Sequence, residues 1–599
     1  MLLELLSDAL PSGNHLPSSY YESKKIIKDL GLGYEKIHAC PNDCTLYWGE
    51  KKNDECCKVC LTSRWVLNHE KDGDLMEDEN DNPKKKKPAK VLRYFPLIPR
   101  LKRLYMSSKT ASSMRWHMEG RNKDGKLRHP ADALAWKEFD KRFPEFVADP
   151  RSVRLGLASD GFNPFRTMST TYSTWPVVLL PYNLEPWACM KQSSLIFSMV
   201  IPGEKGPGND IDVFLQPLID ELKQLWDGVD AFDACIRENF KLRAALMWTI
   251  NDFSAYANLS GWSTKGRVAC PSCGESTHSQ WLKNGGKFCY MGHRRWLEHD
   301  HHFRYEKDQF DGTVELQTAP LPPFGTEVLG QLSGVNFVYG KSIKSNKKRN
   351  REQNESSRIQ PNTQQSCSNN EAMHFEDADT FLDENIENCE ESRPCLWKKR
   401  SIFFDLPYWE FNLLRHNLDV MHIEKNICDN LLGTFLNIDG KSKDNHKARL
   451  DLIDMGIRHE LHPTAYNGSR RLPQACYTMS SVEKELFLTV LKNMKVPDGY
   501  ASNISRCVNL KERKIINLKS HDCHVLMQDI LPIALRSTFP RQVVAVVTDL
   551  CSIFKGLCSK TLDPNEVDLL ESKVAETLCR LEKTFLPSFF TIMVHLTVH

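Results

Sequence analysis

Three strand-like runs in succession, then a helix, then a fourth run that is apolar almost throughout: this order constrains the chain more than any other feature. The runs are VRLGLASD (153–160), TWPVVLLPYNL (174–184) and SSLIFSMVIPG (193–203). Each is rich in β-branched and apolar residues and is bounded by turn formers. DIDVFLQPLIDELKQLWDG follows, and its Val213, Leu218, Leu222 and Leu225 fall at roughly helical spacing. RAALMWTINDF (243–253) then reads as a buried strand. The predicted order is β-β-β-α-β, which places this part of the chain in the α/β class.

Acidic residues stand at the ends of the first and fourth runs, Asp160 and Asp252. If those strands are neighbours, the two carboxylates lie side by side. Such a pair can hold two magnesium ions about 3.5–4 Å apart, one for the attacking and one for the leaving oxygen of a phosphodiester. A third carboxylate is expected from a late helix. NLDVMHIEKNICDNLLGTFL carries Val420, Ile423, Ile427 and Leu431 as one apolar stripe, and Glu424 flanks that stripe, with Asp419 and His422 as competitors. The bland alternative is that strand-end aspartates cap helices, and 77 acidic residues supply many accidental trios.

Cysteine spacing suggests metal. HACPNDC and ECCKVC bring Cys40, Cys44, Cys57 and Cys60 into two close pairs about a dozen residues apart. A tetrahedral zinc shell would fold such a zinc-ribbon-like segment, which is too short for a core of its own; unpaired loop cysteines are the alternative. CPSC offers a second half-site, Cys270 and Cys273. Cys289, His293, His299, His301 and His302 crowd the following stretch and are candidates for its other half, or for a histidine-rich loop without metal. The N-terminus lacks the basic start of a secretory signal, so the twenty cysteines are expected to be reduced thiols inside the cell. No apolar run reaches the roughly 20 residues of a membrane helix.

With 79 basic against 77 acidic residues the formal charge is +2, so any nucleic-acid surface must come from local clustering. Arg151, Arg154, Lys265, Arg267, Arg294 and Arg295 lie near the proposed acids in sequence and are candidate phosphate contacts, against the alternative of pairing with nearby acids. PGEKGPGND lacks the ending of a phosphate-binding loop, so no nucleotide cofactor is expected. Composition divides the chain into a zinc-ribbon-like segment at 1–65, a mixed-charge linker with a four-lysine run at 66–90, the first part of the core at 91–339, a polar insertion expected to be disordered at 340–395, the core's final helix at 396–440, and a mainly helical region at 441–599.

Many strings, among them LRYFPLIPRL, LRHPADALAWKEFD, VRLGLASDGFNPF, TINDFSAYANLSGWSTKG, GGKFCYMGHRRWL and LLRHNLDVMHIEKNICDNLLGTFLN, resemble the transposase family of plant CACTA (En/Spm-like) elements over about residues 28–460. Downstream, MKVPDGYASNISRCVNLKERKIINLKSHDCHVLMQDILPIALR is similar to the domain commonly joined to that transposase. The resemblance implies an RNase H-like core with a DD(E/D) nuclease site that uses Mg2+ or Mn2+. In it, Asp160 and Asp252 match the first two acids and Glu424 the third. It further implies hydrolytic nicking at element ends, then attack of the freed 3′ hydroxyl on target DNA. A structural Zn2+ beside the active site would take Cys270 and Cys273 together with His416 and His422, because related transposases place a histidine pair just before the last acid. Double-stranded DNA (element ends and target), a homo-oligomer, a second element-encoded DNA-binding protein and a nuclear location are implied in the same way. The chain is expected to be cut short relative to the family, since it ends within the apolar FFTIMVHLTVH. That leaves a catalytically inactive or domesticated DNA-binding protein as one alternative, and a zinc-dependent protein-interaction scaffold as another.

Overall fold

The structure, a computed structural model, describes residues 9–11, 16–66, 86–165, 172–333, 337–340, 396–466, 469–496, 500 and 504–599. Most of the expected linker at 66–90 and nearly all of the expected insertion at 340–395 lie outside the described residues. No helix among the described residues is long and apolar enough to cross a membrane.

A seven-stranded mixed sheet organises the first two thirds of the chain. Its strands are β1 (Glu35–Ala39), β2 (Lys90–Tyr94), β3 (Val153–Ser159), β4 (Trp175–Pro181), β5 (Ile196–Ile201), β8 (Ala244–Asn251) and β11 (His416–Leu418), in the spatial order β1-β2-β5-β4-β3-β8-β11. The three strand runs of the sequence become the antiparallel meander β3-β4-β5, while β8 and then β11 add in parallel on the other side of β3. β3 and β8 are buried along nearly their whole length. Near-continuous burial is the pattern of central parallel strands covered on both faces, and it explains why these runs read as apolar rather than alternating.

Helix α1 (Ile211–Asp227) packs on this sheet through Val213, Phe214, Leu218, Leu222 and Leu225, all fully buried. The sequence reading did not anticipate the antiparallel hairpin of β6 (Val229–Asp233) and β7 (Glu238–Leu242) between α1 and β8. Nor did it anticipate that β1, inside the cysteine-bearing first segment, pairs with β2 and so extends the main sheet. Trp248 and Trp262 are both buried.

Beyond β8, helix α2 (Phe253–Ser260) leads to a short hairpin, β9 (Gln280–Leu282) with β10 (Lys287–Cys289). A second apolar core then gathers α3 (Val420–Phe435), α4 (Ser520–Val525), α5 (Arg541–Leu557), α6 (Pro564–Thr584) and the closing turn α7 (Ile592–His595). Phe253, Cys270, Leu282 and Met291, from the region after β8, belong to the same core. The helical region is therefore packed against the segment that follows β8 through this second apolar core.

Burial of imidazoles gives this fold a defined acid sensitivity. Burial holds His117 down to about 3, His129 to about 4 and His416 to about 3, against 6.5 for a free imidazole. These depressed values mean that the unfolded chain binds more protons than the native one between pH 6.5 and 4, so the stability they confer is complete above pH 6.5 and is lost as pH falls. The three rings together contribute up to about 4 kcal/mol per pH unit in the middle of that window, offset in part by the buried Asp212, whose carboxyl is raised by desolvation to about 6. Urea midpoints measured from pH 7 to 4 check this; a flat profile would contradict the burial of these rings.

Candidate metal centres

Each of the three neighbouring parallel strands ends in an aspartate. Asp160 directly follows β3, Asp252 directly follows β8 and Asp419 directly follows β11. Ala158 stands opposite Ile250 and Leu418 opposite Asn251, so continuing the registers sets Asp160 level with Asp252, and Asp252 level with Asp419. Adjacent strands lie about 4.8 Å apart, and the ladder runs on past β11, where the Asp419 N–H donates to the Asn251 carbonyl at 2.8 Å.

The expected helix-capping alternative is also present, but it takes only Oδ1 of each carboxylate. Asp252 caps α2 by accepting from the Ala255 N–H at 2.6 Å, Asp419 caps α3 by accepting from the Met421 N–H at 2.9 Å, and Asp160 accepts from the Gly161 N–H at 2.6 Å. Gly161 has no room for a side chain: a Cβ there would sit 2.6 Å from Nε1 of Trp175. Desolvation first, and the Asp252 carboxylate second, raise the pKa of Asp160; the Gly161 bond and His422 oppose the rise, and Asp419 adds to it. The edge thus sets three carboxylates and one imidazole near one another, oxygen donors of the kind a hard divalent cation takes, though their donor atoms are not drawn as close together as those of the side-chain clusters below.

Glu424 does not join this edge. Its side chain is fully buried, with Oε2 2.6 Å from Nδ1 of His524 and Oε1 3.3 Å from Nε2 of Gln528. On α3, residues two apart point to nearly opposite sides, so His422 faces Asp160 while Glu424 turns toward α4. Helical periodicity placed Glu424 beside the apolar stripe correctly, but it could not say which neighbour that side of the helix meets.

Two clusters of soft ligands stand elsewhere. Sγ atoms of Cys40, Cys44, Cys57 and Cys60 all lie within 4.8 Å of one another. Burial pushes the Cys40 thiol up to about 12; a cation is what would keep such buried sulfurs as thiolates, and four thiolates fit zinc.

The second cluster joins Cys270 and Cys273 to His595 and His599. Sγ of Cys273 is 3.3 Å from Nε2 of His595 and 3.2 Å from Nε2 of His599. Cys270 and His595 are fully buried, and burial lowers His595 to about 4, which keeps it neutral as a metal ligand must be. His416 and His422, the expected partners of the two cysteines, are not in this cluster. His416 instead places Nδ1 2.7 Å from Oγ1 of Thr249, among the rings of Tyr256, Phe403 and Trp409, and His422 stands by Asp160. Of the other candidates, His293 lies 2.5 Å from Glu582, and His301 accepts from the Phe303 N–H. The sequence did carry a usable signal for this grouping: His595 and His599 are four residues apart, a spacing common in histidine pairs that share one ligand set.

Most of the candidate DNA-contacting residues turn inward. Arg154 is fully buried on Asp140 at 2.6 Å and over the Trp136 ring, and Arg294 is fully buried on Asp311 at 2.7 Å. Arg295 pairs with Glu315 at 3.0 Å, and Arg151 pairs with Asp149 at 2.8 Å and Glu238 at 2.7 Å. A buried guanidinium without a partner carries a heavy desolvation cost, and each of these has found one. Lys265 and Arg267 are exposed, in the segment between α2 and the CPSC turn.

Residues 124–335 match the model of the transposase family tnp2, and residues 557–599 match a domain of unknown function, DUF4218, which is typically C-terminal to such transposases. A comparison with curated proteins finds no match. The tnp2 match supports a transposase role, and with it nuclease chemistry, DNA binding and divalent-metal use in general terms. It contains Asp160, Asp252, Cys270 and Cys273, while the second match contains His595 and His599. The mixed cysteine-histidine cluster therefore draws two ligands from each matched segment.

Proposed function

We propose that this chain is a DNA transposase of the CACTA type whose nuclease site is the aspartate edge: Asp160 and Asp252 hold Mg2+ or Mn2+, and Asp419, rather than Glu424, is the third carboxylate. The observation that carries this reading is the placement of three aspartates at the ends of three adjacent parallel strands, two of them within the tnp2 match. The order β5-β4-β3-β8-β11, with its antiparallel meander and two parallel additions, supports an RNase H-like core.

Bound there, the metal would activate the attacking oxygen and stabilise the leaving one. The chain's own part is to fix three carboxylates on rigid strand ends and to set His422 beside Asp160, where an imidazole can hold a proton near the reacting phosphate. Zn2+ at the two soft clusters would be structural: the four-thiolate set folds the loop after β1, and the mixed set ties the hairpin region to the chain's last helix. Lys265 and Arg267 are the exposed cations we assign to phosphate contact. Action on element ends and target DNA, as a homo-oligomer in the nucleus alongside a second element-encoded DNA-binding protein, completes the reading and rests on the family resemblance.

Purified protein is expected to nick duplex DNA only when Mg2+ or Mn2+ is present. Asp419→Asn should lower that rate by about 10²-fold or more, while Glu424→Gln should stay within about tenfold of the parent. DNA binding without cleavage under either ion would overturn the nuclease assignment, and the reverse ranking of the two variants would return the third role to Glu424.

A further inference from the structure

Glu424, His524 and Cys558 gather where three helices meet, and nothing in the proposed chemistry uses them. Glu424 comes from the second turn of α3, His524 from α4, and Cys558 from the residue that closes α5. One donor atom from each lies within 4.8 Å of the others. The Glu424 side chain is fully buried, the His524 side chain is 23% exposed, and Cys558 is half-buried. The cluster is thus closed on the Glu424 side and open on the other.

We propose that these residues form a third metal site, with donors distinct from those of the aspartate edge and of both cysteine clusters, that takes a borderline divalent ion of the zinc class. The donor set is one carboxylate oxygen, one imidazole nitrogen and one sulfur, which suits zinc better than magnesium or calcium. Three protein ligands with an open side leave a fourth position for water or another small ligand. A tetrahedral ion needs its donors about 3.4 Å apart, so its entry would open the 2.6 Å Glu424–His524 contact by under about 1 Å, on the side where the imidazole is partly exposed. Gln528, whose Nε2 donates to Oε1 of Glu424 at 3.3 Å, supports the carboxylate from the next turn of His524's helix. That turn is a π-helical stretch, Leu526–Ile530. Such insertions are rare and recur at functional sites, because the extra residue re-aims the side chains beside it.

The ion would fasten α3, whose first turn carries Asp419 and His422, to α4 and α5. The site does not depend on the transposase reading, and its test needs no DNA. Full-length protein loaded with Zn2+ is expected to lose one equivalent of metal, by elemental analysis, in each of His524→Ala and Cys558→Ser, with far-UV circular dichroism unchanged. In Co2+-loaded protein, Cys558→Ser should remove a single-thiolate absorption and leave the stronger four-thiolate bands.

An independent reading uses the parent protein alone. In the Zn2+-loaded chain, Cys558 should be alkylated at least about tenfold more slowly than the exposed Cys476, because a metal-bound thiolate is shielded. Equal metal content in parent and folded variants, or labelling of Cys558 as fast as Cys476, would reduce the cluster to a buried Glu–His hydrogen bond.

Discussion

Asp160→Asn and Asp252→Asn are each expected to depress divalent-dependent strand cleavage by about 10³-fold or more, a loss of about 4 kcal/mol in transition-state stabilisation. Asparagine is the informative substitute. It caps a helix as well as aspartate does, so Asp252→Asn keeps the bond to the Ala255 N–H that starts α2 and removes only the charge. Alanine would add about 1 kcal/mol of lost cap and blur the outcome. Because the two carboxylates act as one metal-holding unit, the double variant should be little worse than either single one.

Stability should move the other way. The raised pKa of Asp160, driven by desolvation and by Asp252, means that ionising it near neutral pH costs the metal-free protein stability. Asp160→Asn should therefore melt no lower than the metal-free parent, while forfeiting the rise in melting temperature that Mn2+ gives the parent. Cleavage by Asp252→Asn within a few-fold of the parent would remove the aspartate edge from the mechanism.

His595→Ala carries the other large effect: loss of one zinc equivalent and of more than about 4 kcal/mol of stability, the range that marks loss of a structural metal. Cys270 and His595 are fully buried and Cys273 nearly so, so removing one ligand leaves buried donors with neither metal nor water. Close to it the Tyr290 N–H donates to the Phe590 carbonyl at 2.9 Å, and His293 lies on Glu582. Releasing the metal should therefore loosen the end of the chain, with Phe585, Phe589 and Phe590, from the second core. Thermal unfolding with and without a chelator, beside zinc content, measures this. His416→Ala is the matched control; it should cost stability without changing zinc content, since its ring packs on Thr249 and Trp409 instead. A His595→Ala protein that keeps its zinc and its melting temperature would sink the four-ligand assignment.

Much of the sheet was legible because central strands announce themselves. VRLGLASD and RAALMWTINDF are short and mostly apolar with little alternation, the pattern of strands covered on both faces. The strand-end acids were legible for the same reason, since a charged residue closing a buried run must sit at the sheet's edge. The β6–β7 hairpin was missed because VDAFD and ENFKL alternate weakly and lie on a partly exposed ribbon. Charge proximity in sequence misled for Arg154, Arg294 and Arg295. Position along a chain does not say whether a guanidinium faces solvent or a buried carboxylate.

By itself the sequence determined what each segment can be: the β-β-β-α-β order, Asp160 and Asp252 at strand ends, the four thiols of the first segment, and an apolar stripe on α3. These follow from period, burial pattern and spacing, which are local properties of the chain. Only the tertiary structure decided which distant groups meet. It set Asp419 level with Asp252 through the β8–β11 register, turned Glu424 to His524 and Cys558, and brought His595 and His599 to cysteines more than 300 residues earlier. The physical reason is that a ligand shell is closed by whatever the packed core brings within a few ångströms, and that packing joins residues whose separation in sequence carries no trace of it.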